Sequence, residues 1–206
     1  MLKILGRKTS SNVQKVLWLC TELGLPFERE DIGGPYGRNR DPEYLSLNPN
    51  GLVPTIDDDG FVLWESHAIM RYLAAKHGAE ALWPTDLQRR ADIDRWMDWG
   101  ATVAGPAITP MFLQIVRTPK PDQDAKVIES SRQKTAEALT LLDRHLAGRP
   151  YLAGDSFTLA DIPSAIQTYR WFWFPIERPD LPNLKAWYDR LGERAGYRTH
   201  VMNPLV

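Results

Sequence analysis

The sequence predicts two domains of different class: an α/β domain over residues 1–77 and an all-helical domain over residues 86–206. Up to residue 77, short apolar runs separated by Gly, Pro and Asp alternate with helical patterns. Beyond a linker running from Lys76-His77-Gly78 to Trp83-Pro84-Thr85, strand signals largely disappear and helical periodicity takes over. A capping pattern, Thr158-Leu-Ala-Asp161 with Phe157 before it as a staple residue, opens a further helix deep in the second half.

Taken in order, Lys3-Ile4-Leu5 reads as a strand. Asn12–Leu23 reads as a helix with Val13, Val16, Leu17, Cys20 and Leu23 on its apolar face, stopped by Gly24-Leu-Pro. Phe27–Ile32 suits an edge strand, and Gly33-Gly34-Pro35-Tyr36-Gly37 marks a loop. Val53-Pro54 leads into a short apolar strand, Asp57-Asp58-Asp59-Gly60 supplies a turn, and Phe61-Val62-Leu63 returns. Ser66 then caps a helix carrying Ile69, Met70 and Leu73. The order strand, helix, strand, loop or short helix, strand, strand, helix is that of a thioredoxin-like domain, with an early crossover and a late hairpin. In the second half, Asp86–Val116 reads as one long helix interrupted near Gly105-Pro106 and Pro110. Asp124–Leu146 is a second helix, with Ile128, Ser131, Thr135, Ala138 and Leu142 on one face.

Composition narrows the function classes. A net charge of −1 and a pI near 6.4 lack the basic field of a general nucleic-acid or membrane-surface binder. The single cysteine, Cys20, excludes an internal disulfide and a cysteine-built metal site, and its spacing with Val13, Val16 and Leu17 marks it as core. No apolar run approaches the roughly 20 residues of a membrane span, and Met1-Leu-Lys-Ile-Leu passes into strand-like sequence with no cleavage signal. The expectation is a cytoplasmic protein.

Residues 48–73 carry the chemistry. Proline donates no ladder hydrogen bond and adopts the cis form readily, so Val53-Pro54 suggests a backbone edge open to an extended peptide. Glu65-Ser66 falls at a strand-to-helix junction. A helix N-terminus favours a carboxylate and Glu65 an ammonium, so the pair suits an α-amino acid head group. This ordered combination resembles the N-terminal domain of the cytosolic glutathione transferases, and the resemblance runs through nearly the whole chain. Gly154-Asp155-Ser-Phe-Thr158-Leu-Ala-Asp161 is similar to the capping box that starts a buried helix of that family's second domain, where its role is folding.

The resemblance implies the glutathione transferase fold, glutathione as cosubstrate with no metal, and a homodimer active in detoxification. Val53 and Pro54 would pair with the cysteinyl part of glutathione, Glu65 and Ser66 would receive its γ-glutamyl end, and Asn39 and Arg40, with Arg38 nearby, would meet the glycyl carboxylate. Leu52 stands where some members have a glutamine. No tyrosine lies between residues 1 and 35, so the match is to the serine-type bacterial, theta- and Nu-like members. These place a hydroxyl six residues before a helix valine, which selects Ser10 from Val16, with Asn12 as a second donor and Ser11 as the alternative. A hydroxyl and a helix dipole at that point raise the thiolate fraction of a thiol whose unperturbed pKa is about 8.5.

The electrophile pocket is expected between the domains, with Trp96, Trp99, Met111, Phe112 and the Trp171-Phe172-Trp173-Phe174 run as candidate walls and Arg117 as a candidate for an anionic electrophile. The activity implied is attack of the glutathione thiolate on halides or enones. The alternatives are a glutathione-dependent disulfide reductase, a cis–trans isomerase in view of Ser10-Ser11, or a non-catalytic binding protein of the same fold.

Overall fold

The structure, a computed structural model, describes residues 1–206 and divides them into two units, Met1–Glu80 with Ala195–Val201 and Ala81–Arg194 with Met202–Val206. The first unit is built on strands β1 (Leu2–Leu5), β2 (Phe27–Glu30), β3 (Thr55–Asp58) and β4 (Phe61–Trp64), with helices α1 (Ser11–Glu22), α2 (Pro42–Leu47) and α3 (Ser66–Lys76). The sheet order is β2-β1-β3-β4. Strand β1 runs parallel to β2 and antiparallel to β3, so the β1-α1-β2 crossover and the β3–β4 hairpin expected from sequence are both present. Asp59 and Gly60 close the hairpin with φ of 52° and 93°, the left-handed pair a two-residue turn of this kind needs. The Gly60 N–H donates to Asp57 Oδ1 at 2.7 Å.

Register fixes where function can sit. Leu5 pairs with Thr55 and Thr55 with Trp64, so the end of β1, the start of β3 and the end of β4 meet at one edge of the sheet. The core beneath is Ile4, Val13, Val16, Leu17, Cys20, Ile56, Ile69, Met70 and Leu73, all buried. Cys20 is fully enclosed and burial pushes its thiol up to about 12, so it is an inert packing residue, in keeping with its helical spacing.

The second unit contains α4 (Leu87–Trp99), α5 (Gly105–Phe112), α6 (Ala125–Leu146), α7 (Asp161–Trp173) and α8 (Pro182–Gly192). The long helix expected over 86–116 is not cut at its prolines. Instead the helical path widens into π-type turns at Gly100–Ala104 and Leu113–Arg117 on either side of α5. Proline lacks an N–H and its ring crowds the carbonyl four residues back. A wider turn, closed by Gly105 N–H to Gly100 O, takes up the extra residue just before Pro106. A Cβ on Gly100 would stand 2.8 Å from Pro163 Cβ, so the glycine lets this turn lie directly on α7.

Helix α7 is buried along nearly its full length, and its start is held by Asp161. Asp161 Oδ2 accepts from Thr158 N at 3.0 Å, the box read from sequence, and the Thr158 hydroxyl accepts in return from Ala160 N at 3.3 Å. Its other oxygen reaches further than any capping box, accepting from Leu152 N at 3.0 Å and Trp187 Nε1 at 2.9 Å. One carboxylate thus ties the incoming loop, α7 and α8 together.

The sequence division at 86–206 fails for α9 (Ala195–His200), which packs on α1 of the first unit. The reason is local fit. Gly196 sits so close to Trp18 that a Cβ would fall 2.4 Å from its Cδ1, Tyr197 and Trp18 have ring centroids 4.8 Å apart, and Thr21 Oγ1 meets His200 Nε2 at 2.9 Å.

Candidate active site

Three segments converge at the shared sheet edge: the Gly6–Ser10 loop, Val53-Pro54, and Glu65-Ser66 at the start of α3. Close approach of the first two depends on Gly6, because a Cβ there would lie 2.5 Å from Val13 Cγ2 and 3.1 Å from Val53 Cβ. The Val53-Pro54 peptide is cis, as expected from the sequence.

Ser10 is the N-cap of α1, extended at φ −77° and ψ 124°, yet its hydroxyl makes no capping hydrogen bond. It is nearly buried, and its carbonyl accepts from Gln14 N at 2.8 Å. The hydroxyl and the positive end of the α1 dipole are therefore both uncommitted at one point. Ser11 is half-buried and Asn12 exposed, one and two residues further along.

Asn12 is held in a network that sequence reasoning missed. Its Oδ1 accepts from Lys15 Nζ at 3.0 Å and from Ser66 Oγ at 3.5 Å, which joins the N-terminal turns of α1 and α3 across 54 residues of sequence. Lys15 Nζ also meets His67 Nε2 at 3.0 Å. Burial, followed by the charges of Lys15 and Arg71, pushes His67 down to about 3, so its neutral ring accepts from the ammonium. With Oδ1 accepting from both donors, the amide plane of Asn12 is fixed and its own N–H groups are left to donate elsewhere. The sequence signal was the spacing of Asn12 and Lys15 by three, one helical neighbour apart.

The N-cap of α3 is Glu65 and not Ser66, the cap read from the sequence: Ser66 is the first helical residue, its hydroxyl donates to Asn12, and no side chain caps the helix. Glu65 takes φ 73° and ψ 110°, an uncommon conformation for a residue with a side chain, and is exposed; its carbonyl still accepts from Ile69 N at 2.9 Å. Val53 neither donates nor accepts a backbone hydrogen bond within the chain, so its N–H and C=O are open to an extended partner. The carbonyl just before it is not open. Leu52 O accepts from Tyr44 Oη at 2.6 Å and Asn48 Nδ2 at 2.9 Å, and both donors also contact Thr55 Oγ1, at 2.8 and 3.1 Å. This buried polar group, also absent from the sequence reading, fixes the loop from beneath. Asn39 and Arg40 brace it from the other side, donating to Gly51 O at 2.8 Å and Asn50 O at 3.3 Å. Arg38 pairs with Glu30.

Tyr44→Phe is expected to cost about 0.5–1.5 kcal/mol of stability, since it strips one donor from a partly buried carbonyl that keeps its bond to Asn48. It should also weaken ligand binding at Val53. Denaturant unfolding and glutathione titration by calorimetry check both, and a variant unchanged in each would remove the network from the site.

The other expected pocket residues all lie in the second unit. Met111 and Trp171 have no accessible surface and are core, because α5 and α7 pack on each other there; they form no exposed wall. Trp96 and Phe112 are each 8% exposed, Trp99 is half-buried and Arg117 exposed. Trp96 packs against Trp99 and His145, with ring centroids at 5.6 and 4.3 Å.

A mixed four-stranded sheet with a cis-proline loop between two helix N-termini, followed by an all-helical unit, defines a two-unit protein of the thioredoxin-like class. Residues 9–76 match the model of the glutathione S-transferase N-terminal domain, and residues 101–195 that of the glutathione S-transferase C-terminal domain. The chain is 40% identical to the glutathione S-transferase GstB of Escherichia coli over all of both chains, and 33% identical to glutathione S-transferase 3 of Zea mays, covering 97% of this chain and 93% of that one. Among solved structures it matches a theta class glutathione S-transferase of Xanthomonas axonopodis pv. citri, described with glutathione bound, at a TM-score of 0.95 and 45% identity over 100% and 99% of the two chains. The chain belongs to the glutathione S-transferase family.

Proposed function

We propose that this chain binds glutathione along its first unit and transfers the glutathione thiolate to small soft electrophiles, halides or enones. Glutathione is the cosubstrate, paired through its cysteinyl backbone with Val53, held at its γ-glutamyl end by Glu65 and Ser66, and held at sulfur by Ser10 with Asn12 as second donor. Asn39 and Arg40 serve the glycyl end while bracing the loop. The observation that carries this reading is the contact between Asn12 and Ser66 beside an N-cap serine whose hydroxyl is uncommitted. It joins a donor to sulfur and an anchor for the amino-acid end in one rigid framework.

The chemistry follows from charge. Hydrogen bonding to the sulfur and the α1 dipole favour the thiolate over the thiol, and the thiol proton leaves to solvent. The thiolate then forms a carbon–sulfur bond as a halide departs, or adds to the β-carbon of an enone, which takes up a proton. Holding both reactants together supplies the rest of the acceleration. Trp99, Trp173 and Arg117, with half-buried Phe172 and the edges of Trp96 and Phe112, are the groups of the expected pocket that retain surface for an electrophile. The working form is a homodimer in the cytoplasm acting in detoxification.

Retention on immobilised glutathione with elution by free glutathione, followed by a panel of haloalkane, enone and disulfide substrates, tests the reading. Light scattering in the same buffer tests the dimer. A chain that is not retained and turns over none of the panel is not a transferase. The disulfide arm of the panel separates the second reading, reduction of glutathione disulfides.

A further inference from the structure

Helix α7 carries one basic side chain, Arg170, and buries it: 7% of the residue is exposed. A guanidinium has five N–H donors, yet the one protein acceptor Arg170 meets is Gln167 Oε1, at a long 3.4 Å. No carboxylate pairs with it. Its guanidinium lies 4.1 Å from the ring centroid of Phe112, and Arg117 stands over that same ring at 5.7 Å. Burial first, and the like charge of Arg117 second, pull Arg170 down to about 10, with no anion acting in the opposite direction. Burying a cation is costly unless it is paired and hydrogen-bonded. A stacking ring offsets part of that cost, but a second cation beside it adds to it. Two guanidiniums directed at one aromatic ring, with their donors left over, form a complement to a flat anion.

We propose that Arg170 and Arg117, over the face of Phe112, bind the carboxylate of an aromatic substrate, so that the preferred electrophiles are anionic arenes. The guanidinium of Arg170 supplies planar, bidentate recognition of a carboxylate, Arg117 supplies a second positive charge at the exposed margin, and the Phe112 ring packed against both holds the two guanidiniums in place. As a statement about electrophiles this rests on the transferase reading; as a statement about an anion site in the second unit it does not.

The test compares para-fluoro-meta-nitrobenzoate with the matching benzamide, which differ in charge at one group. In each the thiolate adds at the fluorinated carbon, a carbon–sulfur bond forms, and fluoride leaves with its bonding pair. The readout is the ratio of kcat/KM for benzoate over benzamide at saturating glutathione, each divided by its uncatalysed rate. The ratio should favour benzoate at least tenfold in the wild type and fall about tenfold to a hundredfold in Arg170→Gln, the effect of one charge-assisted hydrogen bond pair. Arg170→Lys should retain part of the preference, and Arg117→Gln should reduce it less than Arg170→Gln does. A wild-type ratio near one, or a ratio unchanged in a folded Arg170→Gln, overturns the proposal. If Arg170→Gln does not fold, Arg117→Gln decides, since its side chain is exposed, and an unchanged ratio there counts against the site. If neither compound nor dinitrochlorobenzene is conjugated, the transferase reading has failed alone. Calorimetry with para-nitrobenzoate and para-nitrobenzamide then decides: tighter benzoate binding that is lost in the Arg170 and Arg117 variants supports the site, and equal binding overturns it.

Discussion

Replacing Ser10 with alanine is expected to lower glutathione turnover about tenfold to a hundredfold and to raise the thiol pKa of the bound tripeptide by about one to two pH units. A hydrogen bond to a charged partner contributes about 1.5–3 kcal/mol, and the Ser10 hydroxyl has no competing capping duty to absorb the change. Ionisation and binding should separate. Ser10→Ala should leave glutathione affinity less affected than turnover, whereas Glu65→Ala should weaken binding in every state and change the pKa little. Ser11→Ala is the control and should be nearly silent. The thiolate absorbance of the binary complex as a function of pH, read beside kcat and KM, checks all three. A large pKa effect in Ser11→Ala or Asn12→Ala without one in Ser10→Ala would move the sulfur donor along the loop and leave the anchoring residues where they are.

Asp161→Ala is expected to be the most destabilising single change, about 3–5 kcal/mol at neutral pH. It leaves three N–H groups without acceptors: those of Leu152 and Thr158 and the indole of Trp187. A capping box alone would cost about 0.5–2 kcal/mol, so the excess measures the two bonds that reach beyond it. Asp161 also makes stability depend on pH. Burial pushes its carboxyl up to about 6, against the opposing pull of the Leu152, Thr158 and Trp187 N–H donors and the Arg194 charge. The folded chain therefore holds this proton more tightly than the unfolded chain does. The stability it contributes is complete below about pH 4 and is lost as pH rises through about 6, a span worth about 3 kcal/mol. Asp161→Asn should remove that dependence. The stability difference between wild type and Asp161→Asn, from denaturant unfolding, should accordingly be larger at pH 4 than at pH 7. A difference that shrinks toward acid would mean that the three donors hold the carboxylate ionised and outweigh burial.

Much of the fold was legible because its determinants are local. The Asp59-Gly60 turn, the helical spacing of Val13, Val16, Leu17 and Cys20, and the Thr158–Asp161 box each depend on residues within a few positions, so each leaves a pattern in the chain. The candidate site was legible to the same extent: Ser10 as a helix cap, Val53-Pro54 as a cis loop, and Ser66 at a helix start. What tertiary structure alone decided was which distant groups meet. Register set Leu5 against Thr55 and Thr55 against Trp64, and so gathered three separate segments at one sheet edge. Packing decided that the Asn12 amide faces Lys15 and Ser66, that Tyr44 and Asn48 hold Leu52 from below, that α9 docks on Trp18, and that Met111 and Trp171 are core while Arg170 stands beside Arg117. A sequence pattern records the period of a helix face or strand, since that follows from backbone geometry. It does not record the partner of that face, because hydrogen bonds and packing contacts between residues tens of positions apart exist only once the chain has folded.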